Sequence, residues 1–231
     1  MRLTRRELLN ITAATAASAA LVGIAVTLQA IQRALYPPPP QPEIVPRSAW
    51  GAREPDHAAE NEYGIATDAT DPAWYVYPGD LALVYQTVVI HHTAARLANN
   101  QTMQDIQNIH MDRNKWADVG YHFAIDRQGI IYAGRDVGVR GASVAGHNTG
   151  TLGIALTGNF ELEPPQWRQL RALQRLVNWL AYRYSLSHLA GHGEFNPESE
   201  CPGVHLAQRL DGIADAAGLQ RGTGGYVAPR K

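Results

Sequence analysis

The stretch Thr87-Val88-Val89-Ile90-His91-His92 decides how the chain is read. Its first four residues are β-branched or apolar, the composition of a buried strand. Two histidines follow directly. Toward the C-terminus, Asn100–Asn114 carries Met103, Ile106, Ile109 and His110 at helical spacing. Tyr121–Asp126 and Ile130–Ala133 flank Arg127-Gln128-Gly129, a β-hairpin with turn chemistry at its centre. Leu152–Thr157 is a further apolar strand. Pro164-Pro165 opens the clearest helix, with Trp167, Leu170, Leu173, Val177, Leu180 and Tyr184 expected on one inward face. Leu186–Ala190 reads as a short strand. Val204–Ala217 reads as a last helix, with Leu206, Leu210, Ile213 and Ala217 inward. Strands and helices alternate in part. The expected class is therefore α/β, with a single mixed central β-sheet flanked by helices.

Toward the N-terminus the pattern dissolves. Residues 52–80 keep no lasting period and read as an irregular surface segment. Pro37–Pro40 and Pro42 form a stiff, extended spacer. Arg5-Arg6, then Leu8-Leu9 and the uncharged run Ile11–Leu28, resemble a twin-arginine export signal. Those 18 uncharged residues also nearly span a bilayer, so the segment is either cleaved or kept as an anchor helix. The expected organisation is a signal or anchor over 1–36, a linker over 37–45, one domain over 46–217 and a loose tail over 218–231. The expected location is the periplasm or cell-wall space, with membrane contact only through the N-terminal segment.

Composition narrows the class. Of 231 residues, 45% are hydrophobic, enough for a filled core. The net charge is −1 with no Lys/Arg-rich face in view, which argues against a nucleic-acid partner. The one cysteine, Cys201, has no partner for an intrachain disulfide.

His91 and His92 end one strand, His192 sits between two glycines after another, and Cys201 follows nine residues later. Side chains at the ends of neighbouring strands converge on one sheet edge. Two imidazoles and a thiolate suit zinc, and a fourth position left to water makes such a site catalytic rather than structural. Each residue also has a plainer reading: a surface histidine at a strand end, a turn histidine, an inert buried thiol. Spacing alone leaves both open.

Six ordered motifs add to this. They are Pro46-Arg47-Ser48-Ala49-Trp50-Gly51-Ala52, Val89-Ile90-His91-His92-Thr93 and Asp118-Val119-Gly120-Tyr121-His122-Phe123. Ile131-Tyr132-Ala133-Gly134-Arg135 follows, then His147-Asn148 with Gly153-Ile154-Ala155-Leu156, then Gly191-His192 with Glu200-Cys201-Pro202-Gly203. Together they resemble the family of peptidoglycan recognition proteins and phage T7-lysozyme-type N-acetylmuramoyl-L-alanine amidases. The resemblance implies Zn2+ held by His91, His192 and Cys201, with Tyr121 as the catalytic tyrosine. It makes His92 a neighbour of the site and His122 a packing or supporting residue. His92, His147, Asn148 and Ser199 are the substrate-binding candidates. Arg96 and Arg135 are candidates for meeting peptide carboxylates, and Trp50 and Trp116 are core candidates. The implied enzyme is a monomeric zinc hydrolase that cuts the amide between N-acetylmuramic acid and L-alanine of peptidoglycan.

Three departures from the pattern stand out. Ala155 occupies a position where some cytoplasmic relatives carry Glu. Ser199 stands where phage members carry Lys. The gap from His192 to Cys201 is one residue longer, with Glu194, Glu198 or Glu200 available to take the missing charged role. The alternative function is a non-catalytic recognition protein of the same fold. The mark of that state is a replaced metal cysteine, and Cys201 is present. A glycosidase would need paired carboxylates flanking a cleft, and no such pair stands out among the motifs.

Overall fold

The computed structural model describes residues 37–59, 74–95, 101–224 and 226. The expected signal or anchor over 1–36, and Arg96, lie outside the described residues. The chain divides after Pro39 into two compact units, and the second, Pro40–Lys231, carries everything below.

Seven strands form one sheet: β1 (Ile44–Val45), β2 (Thr87–His92), β3 (Phe123–Ile125), β4 (Ile131–Ala133), β5 (Thr151–Leu156), β6 (His188–Gly191) and β7 (Gln220–Arg221). Their order is β1-β4-β3-β5-β2-β6-β7, and only the β3–β4 hairpin is antiparallel. This is the mixed sheet expected. The central strands β2 and β5 are buried at every position, as strands covered on both faces must be. Asp126 shapes the hairpin turn, its Oδ1 accepting the N–H groups of Gln128 and Ile130 at 2.9 Å each. Gly129 completes the turn at φ +82°, where a side chain would be strained.

Among the described residues six α-helices flank the sheet: α1 (Arg47–Trp50), α2 (Met103–Asn108), α3 (Trp167–Tyr184), α4 (His192–Phe195), α5 (Val204–Ala207) and α6 (Leu210–Ala217). The larger core joins α3 and α6 to one sheet face, where Leu173, Leu176 and Leu180 meet Val88, Ile90, Ile154 and Leu156. A smaller core on the other face gathers Trp50, Met103, Ile106, Val119 and Ala124. Side chains alternate along a strand, so His91, next to Ile90, projects to this second face.

Several expectations need correction. Trp167 is 58% exposed, not inward. The inward position of the first turn belongs to Gln169, fully buried, which accepts the Gln166 N–H and donates to the Thr157 carbonyl. Ile109 is also exposed, because the helix widens into a π turn over Ile109–Arg113. His110, expected on the same face, is buried within that wider turn. The expected last helix is two pieces, α5 and α6, although Leu206, Leu210 and Ile213 face the core as anticipated. The spacer does not extend to residue 45, since Pro42 is buried and β1 pairs with β4. The tail is not loose from residue 218, because Leu219 is buried and β7 pairs in parallel with β6.

Candidate functional site

His91 lies at the C-terminal end of the central strand β2. Strand β6 pairs beside it in register Ile90↔Gly191, which puts His192, the first residue of α4, next to His91. Cys201 comes from the loop between α4 and α5. One ligand atom from each of His91, His192 and Cys201 lies within 4.8 Å of the others. His91 Nδ1 stands 3.7 Å from Cys201 Sγ. Tetrahedral zinc, with bonds of about 2.1 Å to nitrogen and 2.3 Å to sulfur, holds such a pair about 3.6 Å apart. His91 is 1% exposed, and its Nε2 is buried without a hydrogen-bond partner.

Electrostatics agree with the geometry. Burial holds His91 well below the ordinary histidine value, helped by the neighbouring imidazoles of His192, His92 and His110. Burial also lowers His192. Both are thus neutral, the form that ligates. The Cys201 thiol is pushed up to about 12 by burial, opposed only by the His92 backbone N–H. Among the described residues no cation offsets a thiolate here, and a bound divalent ion would.

The Cys201 loop is fixed from several sides. Cys201 Sγ accepts the His92 N–H at 3.3 Å, and Cys201 N–H donates to Ser199 Oγ at 3.2 Å. The Cys201 carbonyl accepts the Gly193 N–H at 2.6 Å. Gly203, at φ +89°, lies against the Phe160 backbone, where no Cβ fits. Glu194 Oε1 accepts the Gly191 N–H at 2.7 Å. Ser199 N–H bonds the Asn196 carbonyl at 2.9 Å, closing a turn before the cysteine.

Tyr121 sits beside this cluster, its ring centroid 5.1 Å from that of His91 and 5.3 Å from that of His110. Burial raises its phenol above the ordinary value, so it stays protonated. The backbone around it is gripped by two neutral histidines. His110 Nδ1 accepts the Gly120 N–H at 3.0 Å. His122 Nδ1 accepts the Gly153 N–H, and its Nε2–H donates to the Val139 carbonyl, both at 3.0 Å. Burial pushes these imidazoles down to about 3 and about 4 respectively. Upstream, buried Asp118 pairs with Arg47 at 2.8 Å and accepts from Gln107 at 2.6 Å and from the Val119 N–H at 2.7 Å. The sequence motifs pointed to Tyr121 but not to this support.

Register extends the site across the sheet. His91, Ala155, Ala124, Tyr132 and Val45 occupy one rung, with side chains on the same face. The two alanines make a low floor beside His91. Further along lies a cavity of about 530 Å³, lined by Trp50, Thr102, Ala124, Asp126, Arg127 and Tyr132 among others.

The remaining candidates divide. His92 turns away from the cluster, its Nδ1 accepting the Phe160 N–H at 3.2 Å, and it serves Cys201 through its backbone. Asn148 is buried, with Oδ1 accepting the Ser143 and Val144 N–H groups at 2.7 Å, so it shapes a loop rather than lining a groove. His147 is partly exposed, its ring 5.1 Å from both Phe195 and Tyr226. Phe195 shares α4 with His192, and the sequence motifs singled out neither Phe195 nor Tyr226. Ser199 holds the Cys201 backbone. Arg135 is buried, its guanidinium bonded to the Val119 and Arg140 carbonyls and lying over Trp74, so it is not a surface clamp for carboxylates. Trp50 is core, with Nε1–H on the Ala133 carbonyl, and Trp116 is partly buried against His110.

Residues 82–204 match the family model described as N-acetylmuramoyl-L-alanine amidase. The chain is 35% identical over 138 residues to peptidoglycan-recognition protein SC1a of Drosophila melanogaster, covering 56% of this chain and 74% of that protein. Among solved structures it is similar to the endolysin N-acetylmuramoyl-L-alanine amidase LysCS from Clostridium intestinale (TM-score 0.58, 27% identity, 79% of this chain and 99% of that one). It is also similar to human PGRP-IβC in complex with glycosamyl muramyl pentapeptide (TM-score 0.59, 30% identity, 74% and 96%).

Proposed function

The chain belongs to the N-acetylmuramoyl-L-alanine amidase family, and from that membership we propose that it is a zinc-dependent hydrolase cutting the amide between N-acetylmuramic acid and L-alanine of peptidoglycan. The observation that carries the proposal is the convergence of His91, His192 and Cys201 within 4.8 Å of one another, beside Tyr121. When bound there, zinc supplies Lewis-acid polarisation of the amide carbonyl and acidifies a water molecule toward neutral pH. His91 and His192 ligate as the neutral imidazoles that burial enforces. Cys201 ligates as thiolate, its sulfur steadied by the His92 N–H. The Tyr121 hydroxyl, kept protonated, donates a hydrogen bond to the oxygen on which negative charge develops. His110 and His122 hold the backbone on either side of that tyrosine. The low floor at Ala155 and Ala124 leaves room for an extended polymer. The muramyl pentapeptide held by the human relative supports a substrate made of sugar and peptide.

The second reading is recognition without cleavage, which the names of several relatives favour. An intact His-His-Cys set with Tyr121 supports hydrolysis over it. The proposal includes export by the twin-arginine route, which rests on Arg5-Arg6 and Ile11–Leu28.

The test is metal analysis of wild type beside Cys201→Ser, with mass spectrometry of digested wall fragments. About one zinc per chain and released stem peptide are expected, both lost in the variant. Zinc with intact fragments would select recognition. Full zinc occupancy in the variant would remove Cys201 as a ligand.

A further inference from the structure

We propose that the outer face of α3 docks this protein onto an anionic phospholipid surface. The 18-residue helix carries Arg168, Arg171, Arg175 and Arg183 and no acidic residue. All four arginines are exposed, and none forms an ion pair among the described residues. At about 100° per residue, Trp167, Arg168, Arg171, Arg175 and Tyr182 fall within one stripe about 100° wide, roughly 23 Å long. The chain as a whole has a net charge of −1, so this positive stripe is local.

The stripe is not only charged. Trp167 is 58% exposed and Tyr182 53%, and Leu162, in the turn leading into α3, is 68% exposed. The guanidinium groups of Arg168 and Arg171 each lie 5.4 Å from the Trp167 ring centroid. Aromatic rings flanked by arginines suit the boundary between headgroups and acyl chains. A hydrated polyanion offers the arginines a partner but gives Trp167 and Leu162 no apolar phase. No described helix is long and apolar enough to cross a membrane, so contact through α3 would be along the surface.

Placement makes the contact useful. The buried side of α3 packs on the sheet face carrying Val88, Ile90, Ile154 and Leu156, whereas His91 projects from the opposite face. A bilayer under α3 leaves the His91–His192–Cys201 cluster facing away from lipid.

The experiment is co-sedimentation of the full-length chain with vesicles of phosphatidylcholine, with and without phosphatidylglycerol. Wild type is compared with Arg168→Gln/Arg171→Gln/Arg175→Gln. Both proteins keep residues 1–36, so the difference between them isolates the helix. The phosphatidylglycerol-dependent part of binding is expected to fall roughly a hundredfold in the triple variant and to weaken with salt in wild type. Trp167→Phe, a mild change, gives an independent readout: brominated lipid should quench a fluorescence component that this variant lacks. Binding untouched by the triple substitution, with no loss of quenching in Trp167→Phe, overturns the proposal. So does a triple variant that loses affinity for a purified wall polyphosphate while binding vesicles like wild type.

Discussion

Arg221 pairs with Glu194 at 2.8 Å, tying the edge strand β7 to the helix that begins with His192. The same carboxylate oxygen accepts the Gly191 N–H, so the pair fixes the backbone just before a ligand candidate. Arg221 also bonds Asp211 at 2.8 Å and the Leu189 carbonyl at 2.7 Å. Its side chain is 25% exposed and that of Glu194 36%, so the pair contributes about 1 kcal/mol or less to stability. Arg221→Gln should therefore melt close to wild type, yet bind zinc roughly tenfold more weakly in chelator competition. Unchanged zinc affinity would reduce the pair to a structural tie.

Tyr121→Phe removes a hydroxyl and keeps the ring against His91 and His110. Zinc content should stay the same while turnover on wall fragments drops about 10²- to 10³-fold. A variant as active as wild type would take Tyr121 out of the reaction.

Two substitutions in α3 should separate burial from position. Leu173 is fully buried in the larger core, and Leu173→Ala should cost about 2–5 kcal/mol in urea unfolding. Trp167→Ala, at an exposed site, should change stability by about 0.5 kcal/mol or less. Similar costs for both would contradict the exposure of Trp167.

The same helix shows what was legible in the sequence. Its apolar repeat located the core-facing residues from Leu173 onward, because those positions obey one period. At the first turn a polar residue, Gln169, faces inward by bonding the Thr157 carbonyl, and hydrophobicity cannot reveal a polar group satisfied by tertiary contact. The π turn displaced Ile109 for a related reason, since one wider turn breaks the period that had placed it inward. The grouping of His91, His192 and Cys201 was legible because strand ends and resemblance pointed to the same place. The support of Tyr121 by Arg47, Gln107 and Asp118 was not, since it depends on residues up to 71 positions apart meeting in three dimensions.

Acid should destabilise the fold through His122. Burial pushes it down to about 4, with the Val139 carbonyl opposing, Arg135 lowering it and Asp136 raising it, and the Tyr85 hydroxyl stands 3.3 Å from Nε2. An unfolded histidine titrates near about 6.5. Between these values the unfolded chain binds more protons, so this contribution is fully present above about 6.5 and is lost as pH falls through about 4. The loss is about 3 kcal/mol for this group. Urea midpoints at neutral pH and at about pH 4.5 provide the check, and equal midpoints would show that His122 titrates normally.

The rung from His91 through Ala155 and Ala124 to Tyr132 crosses three strand spacings, about 14 Å in all. That length is set by backbone hydrogen bonding and not by any side chain. Loops around the rim can lengthen, shorten or change composition without altering it. The sheet thus acts as a fixed ruler, and evolution can revise which groups greet an incoming chain while leaving the reach from the imidazole to the far wall untouched.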